Sequence, residues 1–485
     1  MTDSETSRDG NTVPRTPPDA FFPEESGDGA KESTIAAIAT APGEAGIAIV
    51  RLSGPKAGAL ALAQFTPFSG TKETISPRTF RLGVFQDGTG QPLDQVLFVL
   101  FAAPRSYTGE EVAELHCHGG TLAAKLVLAE LFTLGARPAE PGEFTRRAFL
   151  NGRIDLAQAE AVLSVIRARS DAALRAGVRT LQGRFSSRLR PLHDSILRLS
   201  GLLEASLDFP EEELPECTNE GVLRELSALS EALSRIYERS RQGNLLREGV
   251  RVALVGRPNV GKSSLLNAFL QESRAIVTAV PGTTRDIIEE VLTHKGVPLR
   301  LLDTAGIRTP EGPVEALGID RANRAFEEAD IRLWVVDGSE PLTREDEELA
   351  SRLAPRPHLV AINKADLPLR TGPEEIRTLL WESTIVVLSA ERGEGIEELK
   401  DALVRLWGND ASDDEAHNVS SRQVEELRLA LDALSAAKGA LSSGLGQDAA
   451  ATAIAEARGC LERILGLSWD DALLDTIFSR FCIGK

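Results

Sequence analysis

Cysteine is scarce in this chain of 485 residues. Cys117, Cys217, Cys460 and Cys482 stand far apart and match no zinc spacing. Free thiols in a reducing cytoplasm are the simplest reading. Long apolar runs are also missing. The longest obvious one, Val96 to Ala103, is strand-sized and falls well short of the roughly 20 residues that cross a bilayer. Positive charge is in deficit, with 54 Lys and Arg against 72 Asp and Glu and a net charge of −18. That balance argues against global attraction to nucleic acid, so a polyanionic partner would need a local basic patch. The first 31 residues lack an apolar core and are rich in Asp, Glu, Pro, Gly and Ser. A signal or transit peptide is therefore not expected there, and a disordered acidic extension over 1–31 is.

What is present fits a globular protein, with 42% hydrophobic and 26% charged residues. The length exceeds one hydrophobic core and predicts about three domains. Strand-like runs at Thr34 to Thr40, Ile47 to Leu52, Arg78 to Phe85, Val96 to Phe101 and Val112 to His118 are followed by a helical pattern from Thr121 to Leu134. Together they predict a small α+β domain over 32–150. From Leu156 to Leu203, and again from Val222 to Leu245, apolar residues recur at helical spacing. Helix returns after Asn409, with Val424, Leu427, Leu431 and Leu434 in one stripe. The expected architecture is multidomain α/β plus α. A helical domain, 151–248 and 409–485, is interrupted by an inserted Ras-like P-loop domain, 249–408.

That inserted segment carries the chemistry. Gly256-Arg-Pro-Asn-Val-Gly-Lys-Ser263 follows the apolar run Val252 to Val255 and precedes a helix-like run. Strand, glycine loop and helix are the context of a phosphate-binding loop, whose N–H groups and helix dipole cradle oxyanions. Lys262 is expected to reach the β- and γ-phosphates, and the Ser263 hydroxyl to bind Mg²⁺. Asp303-Thr304-Ala305-Gly306 follows another apolar run, so Asp303 can hold Mg²⁺ through water and the Gly306 N–H can meet a γ-phosphate. Asn363-Lys364-Ala365-Asp366 follows a third. The Asp366 carboxylate can accept from N1–H and the N2 amine of guanine, a donor pair adenine lacks, so GTP is selected. Ser389 and Ala390 fit a supporting guanine loop. The stretch Thr278-Ala279-Val280-Pro281-Gly282-Thr283-Thr284 reads as a loop closing over the γ-phosphate, with Thr284 on Mg²⁺. The full GTP-binding set is Asn259, Val260, Gly261, Lys262, Ser263, Ser264, residues 278–284, residues 303–306, Asn363, Lys364, Asp366, Ser389 and Ala390. Ile307 stands where many GTPases orient water with glutamine. Another group must act. Glu315 is a candidate, although its spacing alone favours a solvated carboxylate at a helix start.

Beyond these motifs the chain resembles the MnmE (TrmE) family of bacterial GTPases that modify the tRNA wobble uridine. The resemblance rests on Ala41-Pro-Gly43 with Gly46-Ile-Ala-Ile-Val-Arg51, and on Tyr107 to Gly120. It also rests on Pro141-Gly-Glu-Phe-Thr-Arg-Arg-Ala-Phe-Leu-Asn151, Asp155-Leu-Ala-Gln-Ala-Glu160, and the tail Ile477-Phe-Ser-Arg-Phe-Cys-Ile-Gly-Lys485. It implies a 5-formyl- or 5,10-methylene-tetrahydrofolate site at Arg51, Glu114, Arg153 and Lys485; Arg153 stands where the family often has lysine. It implies K⁺ held by Asn259, Thr278, Val280 and Thr283, with Glu315 catalytic. It further implies a homodimer joined through the N-terminal domains, and an FAD-dependent partner protein in a heterotetramer or larger complex. That assembly would install an aminomethyl or carboxymethylaminomethyl group on uridine carbon 5 of tRNA in the cytoplasm. Cys482 lies in the matching tail, and a catalytic role and a buried structural thiol both remain open. The rival class is a switch GTPase that binds RNA without chemistry of its own. A dynamin-like membrane role is disfavoured by the lack of a membrane-binding element. His116 and His118 are not read as a metal site, because on a strand they share one face while Cys117 points to the other.

Overall fold

The computed structural model describes residues 33–120, 122–168, 170–209, 218–271, 290–303, 323–407, 418–443 and 446–485. The chain divides into two compact units, 1–147 with 482–485, and 148–481.

The first unit is built on a seven-stranded sheet in the order β3-β4-β5-β6-β2-β1-β7. The strands are β1 (Ile35–Ile38), β2 (Ile47–Ser53), β3 (Phe65–Pro67), β4 (Arg81–Gln86), β5 (Pro92–Phe101), β6 (Val112–His118) and β7 (Arg137–Pro138). Helices α1 (Ala57–Ala63) and α2 (Ala123–Thr133) contact the sheet. Strand alternation sends Ala48, Val50 and Leu52 of β2 and Ala113, Leu115 and Cys117 of β6 into the core with Val127 and Leu131 of α2. The third and fourth apolar runs pair as an antiparallel hairpin. Its loop is tied by Asp87 Oδ1, which accepts from the N–H groups of Thr89 and Gln91, both at 2.9 Å. Helix α3 (Glu143–Leu150) follows β7.

The second unit begins with α4 (Leu156–Arg167), α5 (Asp171–Leu181), α6 (Arg184–Asp208) and α7 (Asn219–Glu248). The first long helical run is thus three helices. Ser170 caps the second, its hydroxyl accepting from Ala173 N–H at 3.2 Å, and Gly183, at φ +82°, lets the chain turn before the third. A six-stranded sheet comes next in the chain, in the order β13-β12-β11-β8-β10-β9. Its elements are β8 (Val250–Val255), α8 (Lys262–Gln271), β9 (Glu290–His294), β10 (Val297–Asp303), β11 (Ile331–Asp337), α9 (Arg344–Leu353), β12 (His358–Asn363), α10 (Pro373–Leu379), β13 (Ile385–Val387) and α11 (Ile396–Trp407). All neighbours are parallel except β9, which pairs antiparallel with β10 at the edge. Every residue of β11 is buried, as a strand covered on both faces requires. The five parallel strands fall on short apolar runs of the sequence, 252–255, 299–302, 333–336, 359–362 and 385–388. β9 was not foreseen, because Glu-Val-Leu-Thr-His is a polar edge segment. Lys295 and Gly296, at φ +48° and +81°, turn it back.

The chain closes with α12 (Ser421–Ser442), α13 (Gln447–Leu465) and α14 (Asp471–Phe478). One apolar cluster unites Leu189 and Leu199 of α6, Leu226 and Leu233 of α7, Leu427 and Leu434 of α12, and Ile454 and Leu461 of α13. Sequence on both sides of the six-stranded sheet therefore supplies a single core. Truncating a buried leucine such as Leu434 to alanine costs about 2–5 kcal/mol at such a site. Among the described residues no helix is long and apolar enough to cross a membrane.

Candidate functional site

The loop 256–261 leaves the C-terminal end of β8 and enters α8. Parallel strands flank β8 on both sides, and their C-terminal ends form the crevice where such sheets take ligands. Val260 anchors the loop in the core at 2% exposure, while Asn259 takes φ +63° on the surface. Lys262 Nζ donates to the carbonyls of Gly256 and Arg257, both at 2.6 Å. The loop therefore curls around an ammonium group. Ser263 and Ser264, in the first turn of α8, are exposed.

The segment expected to recognise the base comes from the ends of β12 and β13. Asn363 is buried at 2% exposure, and its amide is used at both ends. Nδ2 donates to Val260 O at 2.9 Å, and Oδ1 accepts from Ala390 N–H at 3.0 Å. A β-carbon at Gly261, whose φ is +97°, would collide with that Nδ2, so glycine is required by the approach of Asn363. Ser389, fully buried, donates its hydroxyl to Asp366 Oδ1 at 2.6 Å. That hydrogen bond holds the Asp366 carboxyl below its ordinary range. An ionised carboxylate has further lone pairs, so Asp366 can still accept from a paired donor. Lys364 Nζ meets Asp337 Oδ2 at 2.5 Å. Burial works against the Asp337 charge, but Lys364 and Ser339 outweigh it and its pKa is lowered. Asp337 was not singled out in the sequence, although it ends an apolar strand run, the position that marks the other motifs.

Asp303 is the last residue of β10 and lies in register with Leu254 of β8, beside the loop. The expected positions 278–284, 304–306 and 315 lie outside the described residues.

A second polar cluster sits on the first unit. Arg51 of β2 and Glu114 of β6 are cross-strand partners, and Arg51 Nε donates to Glu114 Oε1 at 2.8 Å. Glu114 Oε2 lies 3.1 Å from His116 Nε2. The Arg51 guanidinium stands 6.0 Å from the Tyr107 ring centroid and 5.8 Å from that of Phe144, within cation–π range. The Tyr107 hydroxyl is 2.9 Å from that of Thr145, and burial pushes its pKa up. The chain's last residue joins this neighbourhood, since Phe144 N–H donates to Lys485 O at 3.1 Å. Gly484 (φ +93°) has no room for a β-carbon against Ile38 O, which explains the glycine of the tail. Phe144 of α3 thus touches Arg51 with its ring and the Lys485 carbonyl with its N–H, whereas Arg153, exposed, belongs to the second compact unit. Cys482 is exposed, which overturns the buried-thiol alternative. Cys117 is buried, and burial drives its thiol up to about 12, so it is unsuited to thiolate chemistry.

The same face of this sheet carries exposed apolar groups. Leu82 pairs with Leu97, Leu97 with His116, and His116 with Ile49, so these side chains form one row across four strands. Leu82 and Leu97 are 49% and 37% exposed.

Two family models match the chain. One is described as the MnmE helical domain and matches residues 156–482; the other is the GTP-binding protein TrmE N-terminus and matches residues 34–153. The chain is 45% identical to the tRNA modification GTPase MnmE of Heliobacterium modesticaldum, over 93% of this chain and 99% of that protein. The protein of the same name from Geobacter sulfurreducens is 43% identical over 94% and 99%, and that of Aquifex aeolicus 42% over 93% and 99%.

Proposed function

The chain belongs to the MnmE family, and from that premise, a GTPase acting in tRNA modification, we propose that it uses a folate one-carbon unit to modify the wobble uridine. In this reading it works with an FAD-dependent partner protein, in a heterotetramer or larger complex in the cytoplasm. The product is an aminomethyl or carboxymethylaminomethyl group on carbon 5. The observation that supports the reading is the Arg51–Glu114 pair, packed by Arg51 on the ring of Phe144, whose N–H donates to Lys485 O, on a different unit from the phosphate loop. A carboxylate such as Glu114 can accept from the amino-pyrimidine edge of a pterin, and a cation suits the carboxylate tail of folate. Arg153 and Lys485 complete the proposed folate set, with Cys482 at its edge.

The GTP half follows from the loop. Lys262 exchanges its two carbonyl partners for β- and γ-phosphate oxygens, keeping its charge satisfied in both states. Ser263 offers the hard oxygen that Mg²⁺ prefers, with Thr284 as second ligand and Asp303 acting through water. Asn259, Thr278, Val280 and Thr283 are assigned to K⁺, which supplies positive charge where negative charge develops. Asp366, kept ionised by Ser389, accepts from guanine. Glu315 is assigned to orient or deprotonate the attacking water. The exposed row of Leu82 and Leu97 supports a homodimer formed through the first unit, since contiguous apolar surface favours burial.

The deciding experiment is nucleoside mass analysis of tRNA from a deletion strain, complemented by the wild-type chain or by Glu114→Ala. Loss of the carbon-5 group in the deletion and in Glu114→Ala supports the proposal. Unchanged wobble uridines in the deletion would return the protein to the switch class.

A further inference from the structure

Arg257, the second residue of the phosphate loop, is held from two sides. Its main-chain carbonyl accepts from Lys262 Nζ at 2.6 Å. Its side chain, 17% exposed, puts Nε 2.8 Å from Asp346 Oδ2. The angle departs from that of a hydrogen bond, so the contact is an ion pair. Glu340 stands further out, at 3.6 Å from Nη2. Asp346 is 1% exposed and cannot drift, because the same Oδ2 accepts from Thr343 N–H at 2.9 Å and from the Thr343 hydroxyl at 2.8 Å. These bonds cap the N-terminus of α9. Oδ1 of Asp346 is buried without a hydrogen-bond partner, so the neutralisation of this carboxylate falls on Arg257. The end of β11 and the first turn of α9 thus grip both nucleotide segments, the base segment through Asp337 and Lys364 and the phosphate loop through Asp346 and Arg257.

We propose that Arg257 and Asp346 are positioning residues for the phosphate loop, setting the backbone that Lys262 leaves when a polyphosphate binds. Neither touches the nucleotide. The pair holds the carbonyl of Arg257 at the mouth of the loop, so that the N–H groups that follow are pre-aimed before GTP or GDP arrives. Losing the pair lets the loop sample other conformations and weakens nucleotide binding while the chemical step is spared. The inference rests on the reading of 256–263 as the phosphate loop.

The test uses the full chain, a fluorescent GDP analogue for affinity, GTP turnover for kcat and KM, and thermal melting for the fold. Asp346→Asn keeps an acceptor for the α9 cap and removes the charge, and Arg257→Lys keeps the charge and loses the planar fork. Each, like Arg257→Ala, is expected to weaken GDP binding and raise KM about tenfold with kcat retained. Arg257→Ala combined with Asp346→Asn is expected to weaken binding no more than Arg257→Ala alone. Affinity within about twofold of wild type in well-folded Arg257→Ala and Asp346→Asn proteins overturns the proposal, as does additive loss in the double variant. Lys262→Ala separates the two levels. If it binds GDP as tightly as wild type, the phosphate-loop reading itself fails and takes the proposal with it.

Discussion

Asn363 and Val260 lie 103 positions apart, yet the Asn363 amide nitrogen donates to the Val260 carbonyl at 2.9 Å. With its oxygen on Ala390 N–H, this one side chain at the end of β12 ties the phosphate loop to the loop that follows β13. Asn363→Ala removes both bonds and leaves a buried N–H and a buried carbonyl without partners. The expected cost is about 1–3 kcal/mol of stability for each group left unpaired. Guanine nucleotide affinity should fall with it. Denaturant titration with and without GDP checks both; unchanged values in each would show that the amide is dispensable.

Asp366→Asn keeps an acceptor for N1–H but presents an amide N–H to the guanine N2 amine, donor against donor, where xanthine offers a carbonyl oxygen. Preference should move from guanosine to xanthosine nucleotides by roughly 100-fold or more. Competition between GTP and XTP in a turnover assay measures it.

The Ser389 hydroxyl holds the Asp366 pKa down. With a depressed pKa, the recognition competence of the carboxylate is present at neutral pH and lost as pH falls through the folded value. Ser389→Ala removes the leading cause, so the acid limb of GDP binding should move to higher pH. Affinity measured from neutral pH downwards in the two proteins gives the displacement. Superimposed acid limbs would remove Ser389 from this role.

Hydrolysis should run faster in K⁺ than in Na⁺ at equal ionic strength, because the proposed site supplies charge at the β/γ-phosphates. Glu315→Ala should lower kcat on the order of 100-fold, as loss of a general base does, with little change in nucleotide affinity. Equal rates in the two salts would defeat the potassium assignment. Normal turnover in Glu315→Ala would make it a solvated carboxylate.

Glu114→Gln keeps the shape of the Arg51 contact and removes its charge. GTP hydrolysis should persist, while binding of 5-formyl-tetrahydrofolate to the whole chain should weaken about tenfold or more for loss of a charge-assisted pair. Calorimetric titration with the folate decides it, and wild-type affinity would detach Glu114 from the site.

Much of this protein was determined by its sequence alone. The five parallel strands, the loop from Gly256 to Ser263 and the Asn-Lys-x-Asp segment are legible because hydrophobic period and glycine placement act over a few residues. The family is legible because long motifs such as the Cys-Ile-Gly-Lys tail are specific. Other features were decided only by the tertiary structure. The edge strand β9 has no apolar alternation to announce it. The breaks between α4, α5 and α6 depend on a serine cap and one left-handed glycine within a helical pattern. The meeting of Arg257 with Asp346, of Lys364 with Asp337 and of Asn363 with Val260 depends on strand order. β11 lies beside β8, and β12 beside β11, although β9 and β10 intervene in the chain. Local free energy selects helix, strand or turn and is written in neighbouring residues. Which distant side chains share a site is set by how the sheet pairs, and that is a property of the whole packed core.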